Sequence, residues 1–313
     1  MPRVSIGMPV YNGENFIEEA LKSICAQTFR DFELIISDNA STDRTEEICR
    51  SYAAGDSRIQ YYRSPMNLGA AKNYNKVVEL SAGEYFKYAA HDDIIAPDFL
   101  EKCVAVLNSD PGVVLVYPLT MLIDGQGRCL GPHDPDTTGF DSEKPYVRFG
   151  SRTSRIRPPL PFIGRRLEDA YPIFGLIRSS ALKSVPLMGT SVGADQAVLA
   201  RLALLGRFFM IPERLFYNRD HPQRFICVYR GRHLHHKWYD PMNAGKTSFS
   251  DWALFFQFLK AVHDTTLTPY QRLRCYGEMI TYFLWNWPRM ARDVLNAISQ
   301  LVGSNYQRHE GIT

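Results

Sequence analysis

Two adjacent carboxylates, Asp92 and Asp93, directly follow an aromatic, apolar segment of strand character at residues 84–90. Pro97 then opens a helical pattern, so both acids fall in a turn between a strand and a helix. Carboxylate oxygens are the ligands that Mg²⁺ and Mn²⁺ prefer, with further positions kept for water and substrate phosphates. The other interpretation is that the acids only complement the dipole of the following helix. The pair by itself leaves both interpretations open.

Strand and helix patterns alternate over the first 117 residues. Short apolar runs at 4–10, 32–36, 59–63, 84–90 and 113–117 read as strands, and amphipathic helical patterns separate them. This alternation predicts βαβ units and a mostly parallel sheet, in which ligands bind outside the carboxyl ends of the strands. Four polar turns fall at such ends, namely Tyr11-Asn12, Asp38-Asn39, Asn67-Leu68-Gly69 and His91-Asp92-Asp93. We therefore expect them to meet at one edge of the sheet.

Composition and missing motifs exclude several classes of protein. The chain has 313 residues, enough for one large domain with an appendage, and its net charge of +3 is too small to indicate a nucleic-acid partner. No G-x-G-x-x-G follows the first strand and no P-loop motif occurs, which argues against dinucleotide oxidoreductases and P-loop phosphotransferases. Six scattered cysteines without CxxC spacing, no signal-peptide pattern and no apolar run of about 18–20 residues predict a cytoplasmic protein.

The order and spacing of several short motifs resemble one known family, the inverting glycosyltransferases of family 2, which have the GT-A fold. The resemblance covers roughly residues 1–225. Its motifs are individually loose but occur together in the family's order. They are Pro9-Val10-Tyr11-Asn12, Ser37-Asp38-Asn39-Ala40-Ser41-Thr42-Asp43, Asn67-Leu68-Gly69, Asp92-Asp93 followed by Pro97, Ala194-Asp195, and Tyr217-Asn218-Arg219-Asp220-His221.

The resemblance implies a nucleotide site at the predicted sheet edge. Pro9 and Tyr11 would line the base pocket, Asp38 would hydrogen-bond the nucleoside, and Lys72 would lie near the nucleotide. The other residues assigned to the nucleotide are Asn12, Glu14, Asn67, His91 and Asp92. The implied cofactor is Mn²⁺ or Mg²⁺, with Asp92, Asp93 and His221 as candidate ligands. The sequence departs from the family where Ala90 replaces the first acid of the usual DxD.

The resemblance also assigns the acceptor side. Asp195 matches the acid of the family's Glu-Asp motif, the usual general base, although Ala194 replaces the Glu. The alternative is that Asp195 has no catalytic role and is simply an acid in the first turn of a helix, a position that stabilises an acidic side chain by about 0.3–1 kcal/mol whatever its role. The candidates for contact with the acceptor or with phosphate are Arg219, Arg178 and Asp93, and Arg219 or His221 would assist the leaving group.

Two domains are expected. Residues 1–225 form the GT-A domain, with a nucleotide-sugar half at about 1–117 and an acceptor half at about 118–225, and residues 226–313 form a helical extension. A cluster of arginines at 148–166 could bind an acceptor phosphate or an anionic membrane, or could be a solvated loop. The apolar helices of the extension could pack on the domain, form a homodimer contact or lie on a bilayer surface.

The predicted function is transfer of a sugar, hexosyltransferase-type, from a nucleoside-diphosphate sugar to a hydroxyl of a glycan or lipid-linked acceptor. UDP is the expected nucleotide by family habit, and cell-surface polysaccharide or glycolipid synthesis is the expected context. Such an enzyme would be cytoplasmic or peripheral at the inner face of the plasma membrane. Two alternatives stay open: a sugar nucleotidyltransferase, and a catalytically weak or inactive scaffold suggested by Ala90 and Ala194.

Overall fold

The computed structural model describes residues 1–133, 136–154, 167–228, 232–243 and 249–310. Its strands are β1 Val4–Val10, β2 Phe32–Asp38, β3 Ile59–Arg63, β4 Tyr85–Tyr88, β5 Ile94–Ile95, β6 Val113–Ile123, β7 Cys129–His133, β8 Leu176–Arg178 and β9 Arg207–Arg219. Its helices are α1 Ile17–Cys25, α2 Thr45–Gly55, α3 Ala70–Glu79, α4 Phe99–Ser109, α5 Pro145–Ser154, α6 Ser179–Lys183, α7 Ala194–Leu205, α8 Phe225–Val228, α9 Arg232–Tyr239, α10 Ser250–Asp264 and α11 Pro269–Glu310. Short 3-10 helices cover Leu167–Phe174 and Pro241–Asn243.

Within these ranges the strands form one nine-stranded sheet in the order β3-β2-β1-β4-β8-β6-β9-β5, with β7 paired to β6. β1, β2, β3, β4, β6 and β9 run in one direction, and β5, β7 and β8 run in the other. The prediction of an α/β fold with a mostly parallel sheet and a helical C-terminal region is therefore confirmed. β1 and β2 are buried along their whole length, which explains their continuous apolar runs.

Helices cover both faces of the sheet, and alternate side chains of each strand supply the two cores. Ile6 and Met8 pack with α1 and α4 on one face, while Ile35 and Phe86 pack with α3 and α7 on the other. The helix α3 lies directly on β1 at Gly7, where an added Cβ would stand 2.7 Å from atoms of Val77 and Phe86. This close approach requires glycine at that position, and it fixes α3 beside the carboxyl edge of the sheet.

Two parts of the acceptor half complete the sheet. Residues 171–174 end a 3-10 helix, and Leu176–Arg178 then form β8. The motif Tyr217–Arg219 lies at the end of the thirteen-residue strand β9, which pairs with β6 on one side and with β5 on the other. The turn at residues 124–127 connects β6 and β7, which form an antiparallel hairpin around it. The pairing of β9 with β5 brings residues 217–219, which are distant in the sequence, close to the end of β4.

The C-terminal helices pack on the α/β domain with one face. Phe258 and Ala261 of α10 and Met279 and Tyr282 of α11 join a core with residues of α5 and α7. Burial against the domain is thus confirmed for that face, whereas the division at residue 225 stays a prediction. No helix in the described ranges combines the length and apolar character needed to cross a bilayer.

The arginine cluster is only partly described. Arg148 and Arg152 are buried in α5, and Arg148 donates to the carbonyl oxygens of Ala203 and Leu204 at the end of α7. A cation at this position complements the negative end of the helix dipole. Arg148 therefore has a structural partner inside the protein. The remaining members of the cluster, Arg155, Arg157, Arg165 and Arg166, lie outside the described residues.

Candidate active site at the carboxyl edge of the sheet

The turns after β1 and β2 are joined by hydrogen bonds between side chains and backbone. The amide of Asn12 donates to Ser41 Oγ at 2.9 Å, and Asn12 Oδ1 accepts from the amide of Thr42 at 2.9 Å. Glu14 Oε2 accepts from the amide of Arg44 at 3.0 Å. Asn12 and Glu14, both predicted to bind nucleotide, therefore hold the two turns together at this edge. Their contact with a ligand stays a prediction.

Asp38 is fully buried at the end of β2, and both of its carboxylate oxygens have partners. Oδ1 accepts from the amide of Ser41 at 2.8 Å, and Oδ2 accepts from the Tyr61 hydroxyl at 2.6 Å. Between Asp38 and Ser41 the chain passes through Ala40, a non-glycine residue with a φ of 63°. Asp38 thus shapes a tight turn, whether or not it also contacts a nucleoside.

Two asparagines connect the turn before α3 to the turn after β2. Asn39 Nδ2 donates to Asn67 Oδ1 at 2.9 Å, and Asn39 Oδ1 accepts from the amide of Leu68 at 2.8 Å. Asn73 of α3 is buried and donates to the carbonyl oxygens of Val10 and Ser37, where β1 and β2 end. The sequence did not single out Asn73, although its place on the first turns of a helix after a polar turn was visible.

The other residues predicted to line the nucleotide pocket differ in exposure. Pro9 is buried in β1, whereas Tyr11 is 38% exposed in the turn that follows. Lys72 is exposed on α3, and His91 lies against the Gly13 turn, where an added Cβ would stand 2.7 Å from the His91 ring. All four residues lie on the carboxyl side of β1 and β4, as predicted.

Asp92 and His221 form the polar centre of this edge. Asp92 Oδ2 is 3.0 Å from His221 Nε2, and the imidazole packs at 4.3 Å, centroid to centroid, from Phe16. Burial raises the pKa of the Asp92 carboxyl, but the charge of His91 and the hydrogen bond to His221 lower that pKa more, so it ends below its ordinary value. Asp92 is therefore a carboxylate at neutral pH.

Asp93 points to a different set of partners. Its Oδ1 accepts from Asn218 Nδ2 at 3.0 Å and from the amide of Arg219 at 2.9 Å, so it joins the strand end of β4 to the end of β9. Burial, and then the negative charge of Asp92, raise the pKa of Asp93 above its ordinary value. Neighbouring carboxylates whose pKa values are shifted in opposite directions are typical of functional sites.

Arg219, predicted to contact phosphate, is fully buried and donates to groups of the protein. Its Nε donates to the carbonyl oxygen of Asp92 at 2.9 Å and its Nη2 to Glu19 Oε2 at 2.6 Å. Two longer bonds run from Nη1 to the carbonyl oxygens of Asp124 and Gly125. The guanidinium thus connects Asp92, α1 and the β6–β7 turn. Sequence reasoning gave no indication of Glu19.

Asp195 lies in the first turn of α7, after Gly193, which has a φ of 86°. Asp195 and the acids of the β4 turn all affect the same residue, Tyr74 of α3, which the sequence did not single out. Burial raises the pKa of the Tyr74 phenol, and the negative charges of Asp92, Asp93 and Asp195 raise that pKa further. The Tyr74 ring packs 5.5 Å, centroid to centroid, from Tyr88 at the end of β4, the strand that leads to Asp92 and Asp93. The position of Tyr74 in the first turns of α3, after the polar turn at Asn67, was visible in the sequence.

Arg178, the remaining acceptor candidate, does not join this group. It pairs with Tyr85 at the start of β4, because β8 runs antiparallel to β4. Its guanidinium donates to the carbonyl oxygen of Leu107 at 2.9 Å, at the end of α4. The structure therefore places Arg178 at the amino edge of the sheet, away from Asp92.

A divalent cation fits the donor set at Asp92. Mn²⁺ and Mg²⁺ are commonly held by one or two protein carboxylates together with substrate phosphates, and an imidazole nitrogen is a ligand for several other divalent transition metals. Asp92 and His221 offer one carboxylate and one ring nitrogen at the same point. Among the described residues, no group of three His, Cys, Asp or Glu side chains is arranged to hold a metal. Such an ion would thus depend on substrate oxygens for its remaining ligands.

A mostly parallel sheet with amides and carboxylates gathered at its carboxyl edge defines an α/β protein of the nucleotide-binding class. The family model described as "Glycosyl transferase family 2" matches residues 5–164, just over half of the chain. The chain therefore belongs to glycosyl transferase family 2, as its motifs predicted.

Curated relatives agree with this membership. An uncharacterized glycosyltransferase of Rickettsia typhi is 39% identical over 136 residues, which cover 43% of this chain and 42% of that protein. An uncharacterized glycosyltransferase of Methanocaldococcus jannaschii is 33% identical over 147 residues, which cover 46% of this chain and 51% of that protein. The chain thus spans about half or less of the length of the curated relatives it matches.

Solved structures show the same fold. S. aureus TarS 1-349 in complex with UDP-GlcNAc aligns with a TM-score of 0.59 at 18% identity, over 95% of this chain and 81% of that chain. The mannosyltransferase PcManGT from Pyrobaculum calidifontis, in complex with GDP-Man and Mn²⁺, aligns with a TM-score of 0.55 at 20% identity, over 100% of this chain and 81% of that chain. At these identities the likeness shows the GT-A fold, which was predicted.

Proposed function

We propose that the protein is an inverting glycosyltransferase that moves a sugar from a nucleoside-diphosphate sugar to a hydroxyl group of a glycan or lipid-linked acceptor. One observation carries the proposal: the hydrogen-bonded turns after β1 and β2 and the Asp92–His221 pair lie together at the carboxyl edge of the sheet. Asp195, in the first turn of α7, would supply a base beside this donor site. Solved structures of the same fold with UDP-GlcNAc and GDP-Man support a nucleotide-sugar donor.

The donor half would bind the nucleotide through the connected turns. The hydrogen bonds from Asn12 to Ser41 and from Asn39 to Asn67 hold these turns in place before a ligand arrives. Groups that are already ordered lose less conformational entropy on binding, so more of the interaction energy remains for affinity. We assign the base and ribose to the surface around Tyr11 and the Asp38 turn, with UDP as the expected nucleotide.

The leaving group is a nucleoside diphosphate, whose departing oxygen gains negative charge. Asp92 and His221 are the residues that would hold Mn²⁺ or Mg²⁺, and such an ion supplies positive charge to the diphosphate. Asp93 would have an indirect role, because its hydrogen bonds to Asn218 and to the Arg219 amide fix the turn that carries Asp92. Arg219 has a positioning role in this proposal, since its donors already bond to protein groups.

The acceptor hydroxyl has a pKa far above 7 and needs a base when its oxygen attacks the anomeric carbon. Asp195 would take that proton as the new glycosidic bond forms and the bond to the diphosphate breaks. Attack from the face opposite the leaving group inverts the anomeric centre in one displacement. Holding both substrates in line supplies much of the remaining acceleration.

The experiment that tests this proposal measures turnover of nucleotide sugars by the purified protein, with Asp195→Asn as the main variant. We expect Asp195→Asn to lower kcat by roughly 10²–10⁴-fold, because Asn fills nearly the same volume but cannot accept the proton. The matched control is Glu47→Gln, another first-turn acid, which forms only an exposed pair with Arg44. Proton NMR of the first product reports the anomeric configuration.

Each outcome of that experiment separates one part of the proposal. A product with the donor's own anomeric configuration would exclude inversion. Normal kcat in Asp195→Asn would move the base to another residue. An Asp92→Asn variant with unchanged activity and unchanged response to chelation would remove the metal assignment. No transfer or hydrolysis with any donor would favour the inactive scaffold, and formation of a nucleotide sugar from sugar phosphate would favour the nucleotidyltransferase.

A further inference from the structure

The long helix α11 carries a continuous apolar face that no described residue of the protein covers. Six of its side chains are each more than half exposed and recur at helical spacing, over roughly 40 Å of helix axis. We call them the outer face of α11: Leu273, Ile280, Leu284, Trp287, Leu295 and Ile298. Exposed apolar surfaces of this extent mark interaction sites in soluble proteins.

The opposite face of the same helix is fixed on the α/β domain. Cys275, Met279, Tyr282 and Met290 are buried there, and Asp293 Oδ2 accepts from a backbone amide at the start of α10 at 2.9 Å. Rotating α11 to hide its outer face would expose these buried groups. The outer face is therefore a fixed property of this fold.

Aromatic side chains extend the outer face across to α10. Trp252 lies 5.9 Å from Phe256, in a stacked arrangement, and 6.5 Å from Phe283 of α11, measured between ring centroids. Phe256 is itself 56% exposed. Trp252 itself donates its N–H to the carbonyl oxygen of Met290, whereas Trp287 is 55% exposed on the outer face. An exposed tryptophan ring favours the boundary between apolar lipid and water, because it combines a large apolar area with one polar N–H group. The two helices thus present one continuous surface of this type.

The exposed charged side chains beside the outer face of α11 are mostly positive. Arg274, Arg292 and Lys260 are exposed on α11 and α10. Of the acids on the same helices, Asp251 and Asp293 are buried, Glu278 lies against Gly150 of α5, and Asp264, whose side chain is 40% exposed, lies 3.7 Å from Arg201. An apolar face flanked by exposed cations complements an anionic lipid surface.

The same charges disfavour a second copy of the chain as the occupant. Arg274 and Arg292 are each nine residues from Phe283, so an antiparallel pair of α11 helices that crossed at Phe283 would place Arg274 of one copy opposite Arg292 of the other. A parallel pair in register would place each arginine opposite itself. The buried Asp251 and Asp293 would not neutralise either arrangement, and like charges held opposite each other cost free energy.

We propose that α10 and α11 dock this protein on an anionic lipid bilayer, with the outer face of α11 and Phe256 inserted at the boundary between headgroups and acyl chains. The docked surface connects to the site through α10, since Gln257 Nε2 donates to Ser191 Oγ at 2.9 Å, three residues before Ala194 and α7. Membrane docking does not depend on the transferase reaction. It would nevertheless bring Asp195 to the side from which a lipid-linked acceptor arrives.

The test is sedimentation of the full chain with vesicles. We expect binding to vesicles of phosphatidylcholine and phosphatidylglycerol in equal parts, and much weaker binding to phosphatidylcholine alone. Ile280→Asn and Leu284→Asn should each lower the partition coefficient about tenfold, since each removes a mostly exposed aliphatic side chain from the inserted surface. The matched control Leu130→Asn changes a leucine that is 57% exposed on β7 and should leave binding unchanged.

A second pair of variants tests the charges. Arg274→Gln with Arg292→Gln should weaken binding to the anionic vesicles roughly fivefold for each arginine, while Lys22→Gln, an exposed lysine of α1, should not. Thermal melting shows whether any variant unfolds. Failure to sediment with anionic vesicles, or equal loss in Leu130→Asn, would overturn the proposal. So would a dimer in analytical ultracentrifugation that Leu284→Asn dissociates, because the outer face would then bind a second copy.

Discussion

Replacing Arg219 by lysine keeps the positive charge at the end of β9 but removes the planar set of donors. In the native protein that guanidinium bonds to the carbonyl oxygen of Asp92, to Glu19 Oε2 and, over longer distances, to the carbonyl oxygens of Asp124 and Gly125. Its carbon also lies 4.9 Å from the centre of the Phe16 ring. Arg219→Lys therefore separates a positioning role from a direct contact with phosphate.

The expected loss follows from the bonds that lysine cannot make. A lysine at this position can satisfy one or two of the four acceptors, which leaves at least two part-buried oxygens without their donor, at about 1–2 kcal/mol each because water can reach part of this network. Loss of the contact with Phe16 adds about 0.5–1 kcal/mol. The free energy of unfolding should therefore fall by about 3–5 kcal/mol, with the folded state still populated.

The assay is urea unfolding followed by fluorescence, with nucleoside diphosphate affinity measured by calorimetry on the same samples. A lower midpoint at an unchanged slope would show that stability itself has changed. The matched control is Glu19→Gln, which alters the exposed end of the network. Glu19 is 52% exposed, so water replaces part of its bond and the loss should stay within about 1 kcal/mol.

The competing role predicts the opposite pattern. If Arg219 contacted the diphosphate directly, lysine would preserve stability, and nucleotide affinity would change through the geometry of that contact. A loss of less than about 1 kcal/mol in Arg219→Lys, together with a clear fall in nucleotide affinity, would therefore refute the positioning role and restore the contact predicted from the sequence.

Three further changes test other parts of the chain. Ala40→Gly should stabilise the protein by about 0.5–1 kcal/mol, since Ala40 has a φ of 63°, and an unchanged melting temperature would mean that the turn relaxes at no cost. Asp38→Ala should weaken nucleotide binding and cost about 1–3 kcal/mol of stability, because the Tyr61 hydroxyl loses its acceptor; Tyr61→Phe, measured beside it, reports the stability part alone. Burial lowers the pKa of Lys87 to about 8 from 10.5, so the unfolded chain binds more protons between these values and stability rises with pH there. The stability of the native protein relative to Lys87→Met should thus rise by about 2 kcal/mol from about pH 8 to about pH 10 in urea unfolding, and a constant difference would contradict this.

The sequence by itself determined the fold class and the edge at which the site lies. Apolar runs of strand length and helices between them are local patterns, and a parallel sheet follows from their alternation. Polar turns after β1, β2, β3 and β4 must then meet at one edge, since parallel strands end together. Asp38, Asn67 and Asp92 were placed on this edge by that reasoning alone, and the family resemblance was confirmed by the family model.

Only the tertiary structure decided which side chains meet at that edge. His221 reaches Asp92 across 129 residues and Arg219 reaches Glu19 across 200, because β9 joins the sheet between β6 and β5. No local pattern encodes such a pairing.

Strand direction and helix packing were likewise invisible in the sequence. Arg178 was predicted beside the acceptor, but the antiparallel direction of β8 carries it to the amino edge. The sequence showed that the helices of the extension are apolar, and packing of α11 on α5 and α10 decided which of its faces is buried. Strand direction and burial depend on contacts between residues far apart in the chain. Periodicity could therefore assign these residues to helices and strands, but it could not show which of them are in contact.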